Sequence, residues 1–131
     1  MRRGKLSFCT AINCMDGRVQ EPVIKYLKKR FNVDYVDTIT EPGPNLILAE
    51  QSDAHIIDSI LRRLKISIEK HNSKAVAIVG HHDCAGNPAP RELQFVHIEK
   101  AIHFIGQSYP VIEIIGLWID EDWRVNEIPP K

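Results

Sequence analysis

His81 and Cys84 stand three residues apart in Gly80-His81-His82-Asp83-Cys84, directly after the apolar run at residues 75–79. Imidazole and thiolate are soft donors, and a short turn folds residues i and i+3 toward one point, so this pair can reach one small cation. Two donors do not complete a site, and a third must come from elsewhere in the chain. A second polar cluster follows the apolar run at residues 6–12: Asn13-Cys14-Met15-Asp16-Gly17-Arg18 offers a thiol, a carboxylate and a guanidinium in close succession.

The elements that must position these groups can be read from periodicity. Residues 75–79 are small or β-branched and apolar, which predicts a strand buried on both faces that the chain leaves at Gly80. Residues 6–12 predict a central strand. From Glu21 the pattern turns helical: Pro22 suits a first turn, Val23, Ile24, Leu27 and Phe31 recur at three- and four-residue spacing, and Lys25, Lys28, Lys29 and Arg30 form a solvated face. Residues 33–40 predict a second strand, and Glu41-Pro42-Gly43-Pro44-Asn45 a rigid loop, because two prolines remove donors and fix the backbone. Residues 46–71 predict a long helix with Ile56, Ile57, Ile60, Leu61, Leu64 and Ile68 on its apolar face, bending or restarting near Ser52-Asp53. After Pro88 and Pro90 another helix carries Leu93, Val96, Ile98, Ala101, Ile102 and Ile105 and is closed by Gly106. Residues 111–119 predict a fourth strand, and residues 123–128 could add an antiparallel edge strand.

Strands that alternate with helices predict an α/β fold: a mostly parallel sheet, order 2-1-3-4, flanked by helices, with residues 1–131 forming one domain. In that order strands one and three are neighbours, and their carboxyl ends lie about 4.8 Å apart at the topological switch point. Cys14 and His81 would then meet at one corner, so Cys14, His81 and Cys84 are the soft donors that the sheet brings together.

The totals narrow the function. Lys plus Arg is 17 and Asp plus Glu is 17, so the formal net charge is zero and no basic excess is present to neutralise phosphates or an anionic bilayer. Nucleic-acid and membrane partners are therefore not expected. The start, MRRGKLSFCTAIN, has a basic head but an apolar run broken by Ser7, Thr10 and Asn13, unlike a signal peptide, and no stretch approaches the roughly 20 apolar residues of a membrane span. A cytoplasmic location follows as the expectation, with the three cysteines reduced and available for metal binding or catalysis.

The two polar clusters resemble those of the β-class carbonic anhydrases. Cys14-Met15-Asp16-Gly17-Arg18 matches that family's Cys-x-Asp-x-Arg, and Gly80-His81-His82-Asp83-Cys84 matches its Gly-His-x-x-Cys. The intervening elements and the closing IIGLWIDEDWRV are also similar. The resemblance implies Cys14, His81 and Cys84 as ligands of one Zn2+ per chain, Asp16 and Arg18 as a catalytic dyad beside the open coordination position, and a homodimer or higher homo-oligomer. The implied reaction is the reversible hydration of carbon dioxide to bicarbonate by a zinc-bound hydroxide. Three protein ligands with one exchangeable position is the catalytic rather than the structural zinc pattern. Two thiolates weaken the acidity of the metal's water; a carboxylate held by an arginine would orient the nucleophile.

Several features depart from the family. Thr40-Glu41-Pro42-Gly43-Pro44-Asn45 keeps the glycine and asparagine of a segment that is usually Arg-Asn-Ala-Gly-Asn, but not the arginine. Ala85-Gly86 follows Cys84 where a glycine usually comes at once. These departures leave two alternatives: a hydrolase of carbon disulfide or carbonyl sulfide, or a non-catalytic zinc-binding relative. A thiol enzyme with Cys14 as nucleophile fits poorly, because Asp16 would repel the anion that Arg18 would have to bind. Cys9 reads as a buried, inert strand thiol, His82 as an exposed loop histidine, and His55, His71, His97 and His103 as packing or surface residues. Asp83 is either a turn residue or an acceptor behind the metal ligands.

Overall fold

The computed structural model describes residues 6–130, so the basic head noted above, with Arg2, Arg3 and Lys5, lies outside the described residues. Five strands, β1 (Phe8–Cys14), β2 (Tyr35–Glu41), β3 (Ala75–His81), β4 (Glu113–Ile119) and β5 (Val125–Ile128), form one sheet in the order β2-β1-β3-β4-β5. The first four are parallel and β5 is antiparallel to β4. The expected α/β architecture and the 2-1-3-4 order are both present, and the edge strand is formed.

Alternation along the central strands supplies two cores. Cys9 and Ala11 of β1, Ala77 and Val79 of β3, and Ile115, Leu117 and Ile119 of β4 face α1 (Gln20–Phe31), which contributes Val23 and Leu27. Ile12, Val76 and Ile78 face the other way. There they meet Leu48 of α2 (Pro44–Glu50), Ile57, Ile60 and Leu64 of α3 (Ala54–Lys70), and Ile98, Ala101 and Ile105 of α4 (Arg91–Ser108). Every residue of β3 is buried, as expected for a central parallel strand covered on both faces.

Several boundaries differ from the expectation for physical reasons. β1 and β3 run on to Cys14 and His81, because pairing persists that far: Cys14 sits opposite Glu41 and His81 opposite Ile119. Gly80 is therefore inside β3 rather than where the chain leaves it. Its lack of a side chain answers a close approach, since a Cβ there would lie 2.7 Å from Asn45 Nδ2 and 2.9 Å from Gln94 Oε1. The long helix is two helices. α2 already begins at Pro44, so part of the expected loop is helical, and it stops at Gln51, whose φ is +56°. α3 restarts behind Asp53, whose carboxylate accepts from the Ile56 amide at 3.2 Å. α4 passes through Gly106 to Ser108 and closes when the Tyr109 amide donates to the Ile105 carbonyl. β4 starts at Glu113, not 111, and Val111 is 94% exposed.

Candidate metal centre

The carboxyl ends of β1 and β3 meet at the switch point of the sheet. Cys14 is the last residue of β1, His81 the last of β3, and Cys84 lies in the turn that follows. All three are buried, and one donor atom from each lies within 4.8 Å of the others. Two of the three donors thus stand on hydrogen-bonded strand ends, which fixes them better than a loop would.

The donor set fits a small tetrahedral cation. The Cys14 and Cys84 sulfurs are 3.8 Å apart; two thiolates on one tetrahedral zinc, each about 2.3 Å from it, stand about 3.8 Å apart. His81 Nδ1 lies 2.7 Å from the His82 carbonyl, and a carbonyl can only accept, so Nδ1 carries the proton and Nε2 presents a lone pair. Among the described residues, that Nε2 is the buried side-chain polar atom left without a hydrogen-bond partner. A buried lone pair without a partner is costly unless something occupies the space before it.

Electrostatics at the sulfurs follow from their closeness. The Cys14 thiol is pulled far below its usual range, chiefly because the Cys84 thiol donates to it, with burial opposing. Cys84 is pushed up, first by that same contact and then by burial. One proton leaves the pair readily and the second is held until another positive charge replaces it. The Asn87 amide donates to Cys84 Sγ at 3.3 Å. At His81, burial works against the charged ring, but the Cys14 sulfur, the His82 carbonyl and Asp16 outweigh it and leave the pKa raised.

Asp16 and Arg18 stand beside these donors. A short 3-10 turn, Gly17–Val19, is capped by Asp16, whose Oδ1 accepts from the Arg18 amide at 2.9 Å. The guanidinium closes the pair with Nε to Oδ1 at 3.0 Å and a terminal nitrogen to Oδ2 at 2.7 Å. This bidentate bond holds the Asp16 carboxyl down at about 2. Oδ2 is also 4.0 Å from His81 Nε2, at the edge of the space the three donors enclose. Arg18 reaches across to the second loop as well, donating to Asp83 Oδ2 at 3.2 Å and to the Asp83 carbonyl at 3.1 Å. Asp83 is a turn residue with φ +59°, and its carboxylate accepts from Arg18 rather than from one of the three donors.

Other groups at the site were not expected from the sequence. Gln20 Nε2 donates to the Cys14 carbonyl at 2.7 Å and the Asp16 carbonyl at 2.9 Å, fixing the turn between them. Trp123, from the β4–β5 turn, lays its ring 4.4 Å from the Arg18 guanidinium carbon. Asn45, Asn87 and Gln94 form a buried amide network, in which Gln94 Nε2 donates to the carbonyls of His81, Asn87 and Ala89. Gln94 had a signal: it is a polar residue four positions before Ile98, on the apolar stripe of α4. Beside this network Gly43 and Gly86 are in close contact, and a Cβ on Gly86 would lie 2.4 Å from the Pro42 carbonyl carbon. Glu41, in the segment that lacks the family's arginine, turns its carboxylate to Arg63 of α3 while its carbonyl accepts from the Met15 amide.

The remaining candidates lie elsewhere. Cys9 is buried in β1 among apolar groups, and burial pushes its thiol up to about 11. His82 is exposed, with its amide tied to Ile119. His71 pairs with Asp37, His103 lies against Gln107, and His97 extends the amide network by bonding Asn87.

Residues 4–129 match a family model described as "Putative carbonic anhydrase". Among curated proteins, none matches the chain. Solved structures share the fold. The β-carbonic anhydrase CafD of Aspergillus fumigatus superposes with a TM-score of 0.61 at 16% identity, over 98% of this chain and 92% of that one. One from Sordaria macrospora, described as tetrameric, gives 0.56 at 12% identity over 97% and 83%. The carbonic anhydrase of Glaciozyma antarctica gives 0.57 at 16% identity over 92% and 81%. With its sequence matched by the family model nearly end to end and its fold that of these enzymes, the chain belongs to the carbonic anhydrase family as a divergent β-class member.

Proposed function

We propose that this protein binds one Zn2+ per chain through Cys14, His81 and Cys84 and catalyses the reversible hydration of carbon dioxide to bicarbonate. The observation that carries this reading is the buried, unpartnered Nε2 of His81, facing two sulfurs 3.8 Å apart with an Asp16 oxygen 4.0 Å away. Three protein donors leave a fourth position open, the pattern of catalytic zinc. Zinc held there supplies a Lewis acid that brings the pKa of water from 15.7 toward about 7.

The chain's own groups do the rest. Asp16 Oδ2 accepts a hydrogen bond from the attacking water and fixes the direction of its lone pair. Arg18 fixes the orientation of that ionised, acceptor-only carboxylate by donating to both of its oxygens. The same grip stops the carboxylate from turning in to occupy the open position itself. Gln20 holds the carbonyls on either side of Met15, so that Cys14 and Asp16 keep their relative placement. Both sulfurs must stay reduced, which suits a cytoplasmic setting.

A homo-oligomer is part of the same reading. β5 leaves its outer edge unpaired among the described residues, and a groove of about 710 Å³ runs beside it, lined by Ile102, Ile114, Ile128 and Pro129. The Sordaria macrospora enzyme that shares the fold is described as tetrameric. No helix among the described residues is long and apolar enough to cross a membrane.

Elemental analysis and stopped-flow carbon dioxide hydration on zinc-loaded protein test the proposal. One zinc per chain with hydration that rises with pH to a plateau is expected. Zinc bound without turnover overturns the hydratase reading; a monomer by light scattering at micromolar concentration overturns the oligomer.

A further inference from the structure

The turn between β4 and β5 carries an indole to a place that metal ligation alone does not require. Arg18 is a long side chain with 45% of its surface exposed and two carboxylates in reach: Asp16 at 2.7 Å and Asp83 at 3.2 Å. Carboxylates meet a guanidinium at its edge and leave its faces open. Trp123 covers one face, with its ring centroid 4.4 Å from Cζ. The same ring lies 6.4 Å from those of His81 and His82 and packs against the core cluster that contains Cys14 and Cys84.

The backbone holds that ring in place at a cost. Trp123 has φ +61°, a left-handed conformation that bulky side chains rarely adopt and that a glycine would adopt freely. The turn has its own scaffold to keep it there. Asp120 Oδ1 accepts from the amides of Asp122 at 2.9 Å and Arg124 at 3.0 Å, its Oδ2 accepts from Asn126 Nδ2 at 2.9 Å, and its carbonyl accepts from the Trp123 amide at 2.9 Å. A strained residue kept by four bonds from one aspartate marks a position where the side chain matters.

We propose that Trp123 is a positioning residue for the Asp16–Arg18 pair: its ring holds the guanidinium in the one plane in which it grips Asp16 while also reaching Asp83. The catalytic consequence rests on the hydratase reading above; the placement of Arg18 does not. Trp123→Phe keeps an aromatic face, whereas Trp123→Leu keeps apolar bulk without one. In zinc-loaded protein, the Arg18 Nε–H resonance in 1H–15N NMR is expected to show a ring-current displacement and slow solvent exchange. Trp123→Phe is expected to keep both and to hold kcat within about 2-fold of wild type. Trp123→Leu is expected to lose both and to lower kcat by about 2- to 5-fold, the worth of an exposed cation–π contact, with zinc still at one per chain. Trp123→Gly, which relieves the positive φ, is expected to match Trp123→Leu in the Arg18 signal even if the leucine variant folds poorly. Equal behaviour of Phe and Leu, or an Arg18 resonance unmoved by Trp123→Gly, overturns the proposal. A wild-type protein without hydratase activity overturns the catalytic reading alone, and the Arg18 resonance then still decides the role of Trp123.

Discussion

Removing Arg18 separates the charge of Asp16 from its orientation. The Arg18 guanidinium holds the Asp16 carboxyl at about 2 instead of its ordinary 3.8. A carboxyl held low in the folded state stabilises that state fully above 3.8 and ceases to do so as pH falls toward 2. In Arg18→Ala the carboxyl returns toward 3.8, and near neutral pH less than about 0.1% of it would be protonated. Asp16 therefore remains an ionised acceptor in the variant, and any loss of rate comes from lost orientation. Folding is expected to change little, because the pair is open to solvent on the Arg18 side and such pairs contribute little.

The size of the kinetic effect follows from the bond at stake. A hydrogen bond to a charged acceptor is worth about 1.5–3 kcal/mol when correctly placed. Losing its alignment lowers kcat by about 10- to 100-fold. Stopped-flow hydration across the pH range, with zinc content measured on the same samples, checks this. The double variant Asp16→Ala/Arg18→Ala is expected to be no slower than Asp16→Ala, since Arg18 acts through Asp16. Wild-type rates in Arg18→Ala at every pH, or losses that multiply in the double variant, would refute the reasoning.

Three other perturbations probe the parts of the fold that hold the site. Cys14→Ser with Cys84→Ser removes both sulfurs, and zinc by elemental analysis is expected to fall from one per chain to none. Gly86→Ala drives a Cβ to 2.4 Å from backbone of the facing loop, which cannot give as a side-chain tip could. It is expected to cost about 1–3 kcal/mol in chemical denaturation, as overpacking does, and to weaken zinc in chelator competition because Asn87 moves away from Cys84. Thr10→Val, at the opposite end of the sheet, strips a buried hydroxyl that contacts Ser67 Oγ at 2.6 Å and Ser73 Oγ at 2.7 Å. It is expected to cost about 1–3 kcal/mol of stability by denaturant titration and to leave zinc affinity unchanged.

The sheet order was legible because each signal is local and strong. β3 is an unbroken run of small and β-branched residues, β1 ends in a polar cluster, and alternating elements leave few topologies. Once β1 and β3 are neighbours, the convergence of Cys14, His81 and Cys84 follows without any side-chain detail. The ends of elements were less legible. A strand stops where its partner stops, so the extension of β3 to His81 depends on Ile119 of β4, which no local window around His81 contains. The break between α2 and α3 was readable only as far as the Asp53 cap; the left-handed turn at Gln51 has no residue-type signature.

The groups that orient the site were hidden for a related reason: each acts across a large sequence separation through one contact. Trp123 belongs to Arg18 only because the antiparallel return of β5 carries its turn over the end of β3. Gly43 and Gly86 look like ordinary loop glycines until the two loops are brought together, and their contact is what lets Asn45, Asn87 and Gln94 join. Periodicity reports how a residue meets its own element's neighbours, whereas these residues join elements to one another. The chemistry-bearing residues sit at motif spacing because they share one small volume, and motif spacing can be read along the chain. The residues that hold them still can be found only where the chain folds back on itself, so the Asp16–Arg18 pair was visible in the sequence while the ring that steadies it was not.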